Sequence, residues 1–139
     1  MKKNLKEILG KQILFFDWGT GTVLQEWGLK LGEFSENWNL SHPEKIQQLH
    51  YEYYKAGANI IKTNTFGALS IKFPLNLEKI ITSAIQNANN ARNQIQKENQ
   101  TSDKNEYFIA YDISSTGKLL KPLGDLDFED AVNIFKKKF

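Results

Sequence analysis

The chain has 139 residues, with 18 lysines and arginines against 16 aspartates and glutamates, and therefore a formal net charge of +2. It contains no cysteine, which excludes disulfides, thiolate metal ligands and a cysteine nucleophile within these residues. A charge near zero gives no reason to expect a nucleic-acid partner. The chain has no apolar run of the roughly 18 residues that a membrane span needs and no secretory leader pattern, so we expect a cytoplasmic protein with no membrane partner.

Three short apolar runs, each flanked by turn-forming residues, predict strands that are buried on both faces. We expect these strands at about residues 13–17, 59–65 and 107–113. Each run is followed by a segment with the apolar spacing of a helix.

The helices are expected at about residues 42–56, 77–97 and 127–138. Apolar side chains recur every three to four residues through the second of these segments, which therefore has the strongest helical pattern. Before the first of them, Ser41 and Glu44 have the spacing of a capping box, with Ser41 as the N-cap.

Alternation of strands and helices predicts an α/β fold with parallel strands joined by right-handed crossovers. Two architectures fit this order: a small doubly wound sheet, or part of a (β/α)8 barrel. A complete barrel takes about 250 residues, so residues 1–139 would form roughly its first three-eighths.

Small polar residues follow each predicted strand, in the segments 17–22, 63–67 and 112–117. The carboxyl ends of parallel strands meet at one edge, where α/β proteins bind their ligands. An aspartate there can pair with an ammonium group, while hydroxyls and backbone amides can hold a carboxylate. The pattern suits a small zwitterion such as an amino acid, although the same residue types are also ordinary turn formers.

The two histidines carry no recognisable metal motif, because they stand eight residues apart in a chain without cysteine. His50 lies on the predicted apolar face of its helix, and we expect it to be a packed histidine whose hydrogen bonds are satisfied. His42 is expected at the surface.

Several blocks of residues, in order along the chain, resemble the homocysteine S-methyltransferase family, in particular the homocysteine-binding module of cobalamin-dependent methionine synthase. These blocks are Phe16-Asp17-x-Gly19-x-Gly21-Thr22, Trp38-Asn39-Leu40 with His42-Pro43-Glu44, Ala56-Gly57-Ala58-Asn59-Ile60-Ile61, Thr63-Asn64-Thr65-Phe66-Gly67, and Thr116-Gly117-Lys118-Leu119-Leu120 with Pro122-Leu123-Gly124.

The resemblance implies a (β/α)8 barrel that transfers a methyl group to homocysteine and forms methionine. In that family three cysteine thiolates hold a zinc ion, which converts the substrate thiol into a thiolate. The methyl group comes from methylcobalamin, which methyltetrahydrofolate recharges on a neighbouring module. The zinc cysteines lie on later strands of the family, so we expect this chain to bind no metal, to contain no catalytic residue and to be inactive alone.

The resemblance also implies roles for six residues in recognising homocysteine. Asp17 would meet the amino group, and the backbone around Trp18 and Gly19 would hold the amino-acid end together with the Thr63 hydroxyl. Asn64 and Thr65 would shape the same rim.

Three further expectations follow from the sequence. If the indole of Trp18 fills the rim, the chain is instead a small non-catalytic α/β module that binds an amino-acid-like or phosphate ligand. As part of a barrel, the chain would need the remaining strands and the cobalamin and folate modules as partners. Its unpaired outer strand edges would favour self-association.

Overall fold

The computed structural model describes residues 4–99 and 106–136 of the chain. Two short strands, β1 (Ile60–Lys62) and β2 (Phe108–Ala110), form its sheet. The helices are α1 (Leu5–Ile8), α2 (Thr20–Glu26), α3 (Trp38–Ser41), α4 (Pro43–Lys55), α5 (Leu77–Glu98) and α6 (Phe128–Lys136), with a 3-10 turn at Ser35–Asn37 before α3.

The two strands run parallel, with Ile61 opposite Ile109 in the register, and α5 connects them along the chain. Phe16 adds an isolated parallel bridge to Ile60 on the other side of β1. The backbone N–H of Asp17 donates to the Ile60 carbonyl at 3.0 Å, which holds this third segment in line with the sheet. The structure is therefore a mixed α/β fold with parallel pairing.

The expected first strand, at residues 13–17, is reduced to that single bridge at Phe16. Its side chains explain the correction, because Ile13 and Phe15 are 80% and 62% exposed and the segment therefore lacks the two buried faces on which the strand prediction rested. The strands expected at residues 59–65 and 107–113 are also shorter than predicted, with three residues each.

The helices lie close to their expected positions. The segment predicted at 42–56 is α4, the one at 77–97 is α5, and the one at 127–138 is α6 as far as Lys136, with 137–138 outside the described residues. The capping prediction is wrong, since Ser41 ends α3 and its hydroxyl donates to the Asn37 carbonyl. His42 is the N-cap of α4 and makes no side-chain capping bond.

Helices α4 and α5 cover β1 with a buried apolar cluster. Its members come from α4, β1, α5 and the start of the β2 segment: Tyr54, Ile61, Ala88, Ile95 and Tyr107. The Tyr54 hydroxyl donates to the Phe108 carbonyl at 2.7 Å, so a residue of α4 also fixes the position of β2. This cluster keeps the two strands in register under one layer of helix.

The long connection before α4 folds back and packs on that helix. Its apolar side chains Leu24, Leu29 and Trp38 form a second buried cluster with Ile46 and Leu49 of α4. This packing holds the turn that follows Asp17 against the body of the fold. No helix within 4–99 and 106–136 is both long enough and apolar enough to cross a membrane.

Replacing Leu24 with alanine removes a side chain that is 1% exposed in this second cluster. We expect the free energy of unfolding to fall by about 2–4 kcal/mol, because the substitution leaves a cavity. The matched change Leu31→Ala, at a leucine that is 93% exposed, is expected to alter it by less than about 0.5 kcal/mol. Urea unfolding of both variants checks this, and equal effects would contradict the packing.

Candidate functional site

A cavity of about 400 Å³ lies at the carboxyl ends of β1 and β2, beside the turn that opens α2. Polar and charged side chains from five segments of the chain contribute to its walls. The lining residues are Thr20, Gly21, Ser35, Glu36, Leu49, His50, Lys62, Thr63, Asn64, Phe66 and Asp112. The two strand ends therefore meet at one edge, as expected, and form a recess there.

Asp17 is 1% exposed and is not among the residues that line this cavity, but it contacts Lys62, which is. Its Oδ2 accepts a hydrogen bond from the Lys62 backbone N–H at 3.0 Å, whereas its Oδ1 lies 4.0 Å from Lys62 Nζ and accepts no hydrogen bond. Burial raises the pKa of the Asp17 carboxyl, and the interactions with Lys62 offset only part of that shift. The carboxylate is thus buried with one oxygen incompletely paired.

Thr63 and Thr65 join the two strand ends through their side chains. Their hydroxyls lie 2.7 Å apart, and Thr65 Oγ1 donates to the Asp112 carbonyl at 2.8 Å. The backbone N–H of Asp112 donates in turn to Thr63 Oγ1 at 3.2 Å. These bonds place the Asp112 side of the cavity at a fixed distance from the end of β1.

Asn64 connects the rim to the 3-10 turn before α3. Its side chain donates to the Ser35 carbonyl and accepts from the Ser35 hydroxyl, at 2.8 and 3.0 Å. Asn39, 1% exposed, donates to the carbonyls of Asn64 and Glu36 at 2.7 and 2.9 Å. Glu36 accepts from the Gly67 N–H, and a Cβ at Gly67 would meet that carboxylate at 2.7 Å. The wall formed by residues 35–39 is therefore rigidly attached to the strand end.

Sequence reasoning did not assign a site role to Asn39 or Glu36. The block Trp38-Asn39-Leu40 contributed to the family resemblance, but the sequence of this block could not show the buried hydrogen bonds that Asn39 makes.

The six residues expected at the site have different positions. Thr63 and Asn64 line the cavity, and Thr65 supports Thr63 from a fully buried position. Gly19 precedes α2 with a φ of 65°, in the left-handed region that favours glycine. Trp18 is 84% exposed and is not among the residues that line the cavity, so its indole does not fill the rim.

His50 corrects the expectation of a satisfied packed histidine. The side chain lies on α4, is 0% exposed and contributes to the cavity wall, yet neither ring nitrogen has a hydrogen-bond partner in the part of the chain that the structure describes. Burial lowers the pKa of the His50 imidazole to about 4. The ring is therefore neutral at physiological pH, with one donor and one acceptor.

The residues present do not fit the thiolate zinc site that the sequence resemblance implies. The chain has no cysteine, and within 4–99 and 106–136 no group of three or more histidine, aspartate or glutamate side chains could hold a metal ion.

The chain is therefore an α/β protein with parallel pairing and a polar cavity at the strand ends, which is where proteins of this class bind their ligands. Residues 14–139 match the family model described as Homocysteine S-methyltransferase. The chain belongs to the homocysteine S-methyltransferase family. The expected family resemblance is thereby confirmed.

Relatives and a solved structure agree with this membership. The chain is 28% identical over 146 residues to betaine–homocysteine S-methyltransferase 1 of Bos taurus, a match covering 99% of this chain and 35% of that protein. It is 34% identical over 70 residues to methionine synthase of Mycobacterium leprae, covering 46% of this chain and 6% of that protein. The chain thus spans about a third of the bovine relative's length.

The oxidized form of the Escherichia coli homocysteine methyltransferase MmuM has a similar fold. It superposes with a TM-score of 0.70 at 26% identity, covering 79% of this chain and 40% of that one. The described residues therefore adopt a fold like part of that methyltransferase.

The His50 environment predicts a specific pH dependence of stability. The unfolded chain binds a proton near pH 6.5, whereas the folded chain does so only near pH 4, so protonation favours unfolding. The free energy of unfolding is therefore unaffected by protonation of His50 above pH 6.5 and falls as the pH decreases from 6.5 towards 4. We expect His50→Leu to abolish this part of the slope in urea unfolding from pH 7.5 to 4.

The variant His42→Leu, at a partly buried histidine, is the matched control for replacing an imidazole with leucine. If the wild-type and His50→Leu curves had the same slope between pH 6.5 and 4, His50 would not be a buried neutral side chain.

Proposed function

We propose that this chain supplies the homocysteine-recognising rim of a homocysteine S-methyltransferase and forms roughly the first three-eighths of its (β/α)8 barrel. Membership of the family is the observation that carries the proposal. The cavity supports it, because a lysine, two carboxylates and hydroxyl groups surround a space that suits a small zwitterion.

Asp17 is the proposed partner of the substrate amino group. Its Oδ1 accepts no hydrogen bond and has only a loose ion pair with Lys62 Nζ, which a substrate ammonium group can replace by moving the flexible lysine aside. Burial raises the pKa of the Asp17 carboxyl, and a bound ammonium group would lower it again, since a nearby cation favours the ionised carboxylate.

The other predicted residues have proposed roles that agree with their positions. The Thr63 hydroxyl, at the cavity wall, would contact the amino-acid end together with the backbone at Trp18 and Gly19. Asn64 and Thr65 would shape the rim, because their side chains are committed to Ser35 and to the Asp112 carbonyl.

Methyl transfer itself is proposed to require protein beyond these residues. The homocysteine sulfur would accept the methyl group and lose its proton, giving methionine. In the family the thiolate forms on a zinc ion, and this chain has no cysteine to hold one. We therefore infer that the chain alone is catalytically inactive and that the remainder of the barrel is its necessary partner.

The methyl donor separates two versions of the proposal. A methionine-synthase type would take the group from methylcobalamin, recharged by methyltetrahydrofolate on further modules. A betaine donor is the alternative, and the bovine relative whose match covers 99% of the chain is a betaine–homocysteine S-methyltransferase. A cytoplasmic location is proposed for either version.

Binding of homocysteine to the 139-residue chain tests the proposed site. We expect Asp17→Asn to weaken binding about tenfold or more in calorimetric titration, because the amino group loses an ionic partner. The matched change at the exposed Asp125, Asp125→Asn, should leave the affinity unchanged.

Unchanged binding by Asp17→Asn would contradict the role of that residue. Phosphate binding without homocysteine binding would instead favour a small non-catalytic module with a different ligand.

Self-association is proposed for the chain alone. Phe15 and Trp18, on the segment paired to one side of β1, are 62% and 84% exposed. We expect sedimentation to show oligomers that Phe15→Lys disperses, because a charge on an open edge opposes pairing. Leu31→Lys, at an exposed leucine outside this segment, should not disperse them. A compact wild-type monomer at micromolar concentration would contradict this proposal.

A further inference from the structure

The feature that the proposed roles do not use is the imidazole of His50. Both ring nitrogens are buried, and neither has a hydrogen-bond partner within the described residues. Unpaired buried polar atoms are expensive, and a leucine would fill the same position on the apolar face of α4 without that cost. The position of His50 therefore needs a reason other than packing.

The surroundings of His50 indicate what the ring can contact. It shares the cavity wall with Lys62, whose ammonium group is positive, and with Asp112 on the facing strand end. Glu36, the other carboxylate of the wall, is occupied by the Gly67 N–H. A ligand with one anionic and one cationic end can therefore place its anion towards the lysine and the imidazole.

We propose that His50 is a ligand-contacting residue of this cavity, where its neutral imidazole donates a hydrogen bond to the carboxylate of a small amino acid. The inference rests on the proposed function and deepens it, because it assigns the carboxylate end of the substrate to a side chain. The ring is 0% exposed, so a ligand can contact it only after the side chains that cover it at the cavity wall move aside.

Nitrogen-15 spectra of the imidazole rings test this contact directly. The chain has two histidines, and His42, against the Trp38 ring and away from this cavity, provides an internal control. We expect homocysteine under reducing conditions to shift the ring nitrogens of His50 and to leave those of His42 unchanged. Glycine and acetate, which carry the carboxylate without the thiol, are titrated in the same way.

Binding by variants gives the second readout. We expect His50→Leu to bind homocysteine about tenfold or more weakly, with a thermal unfolding midpoint no lower than that of the wild type. His50→Gln, which keeps a donor, should retain affinity within about threefold. His42→Leu is the matched control and should bind as the wild type does.

The outcomes separate this inference from the proposed function. A His50 shift with glycine or acetate but not with homocysteine would support the inference and contradict the proposed substrate. Homocysteine binding by His50→Leu with wild-type affinity would overturn the inference and leave the proposed function intact. The absence of any His50 shift with all three compounds would also overturn the inference.

Discussion

The parallel alignment of three chain segments is the constraint on which the site depends. Hydrogen bonds from the Asp17 N–H to the Ile60 carbonyl and from the Thr63 N–H to the Ala110 carbonyl hold these segments side by side. Because the pairing is parallel, the polar residues that follow each segment emerge at one edge. The cavity exists because those strand ends are in register.

The site is built from polar groups that would be costly if left unpaired. Thr65 and Asn64 illustrate the usual solution, since their side chains bond to neighbouring segments and fix the walls. Asp17 Oδ1 and the His50 ring nitrogens are exceptions, without a hydrogen-bond partner among the described residues, and so is Asn39 Oδ1 in the wall formed by residues 35–39. Unsatisfied groups next to a recess are what a pre-organised ligand site needs, and both of our ligand proposals use them.

The sequence predicted the helices better than the strands, for a physical reason. The spacing of Leu77, Ile80 and Ala84 encodes the buried face of α5 locally, so its position needs no knowledge of the rest of the fold. The run that ends at Phe16 has strand-like residues, but the length of a strand depends on its pairing with other segments, and this run makes one bridge to β1. Its local pattern could not reveal that one side would be open.

The candidate site was predictable in its location but not in its details. Strand-end residues such as Asp17 and Thr63 were identified from position alone, because parallel strands share an edge. Periodicity placed His50 on a buried face but could not show that its nitrogens lack partners. The orientation of Trp18 depends on tertiary packing, and no local pattern records it.

The chain belongs to the homocysteine S-methyltransferase family, and its match to MmuM covers 40% of that structure. Burial of β1 beneath α4 and α5 stabilises the fold of the described residues, since the cluster that contains Tyr54 and Ile61 closes over one side of the sheet.

Nuclear Overhauser contacts between segments, measured on the 139-residue chain, test the parallel alignment most directly. The account predicts contacts of Phe16 with Ile60 and of Ile61 with Ile109, together with slow amide exchange at Asp17 and Thr63. Contacts of Ile61 with residues in an antiparallel register, or rapid exchange at both amides, would contradict the alignment and the site built on it.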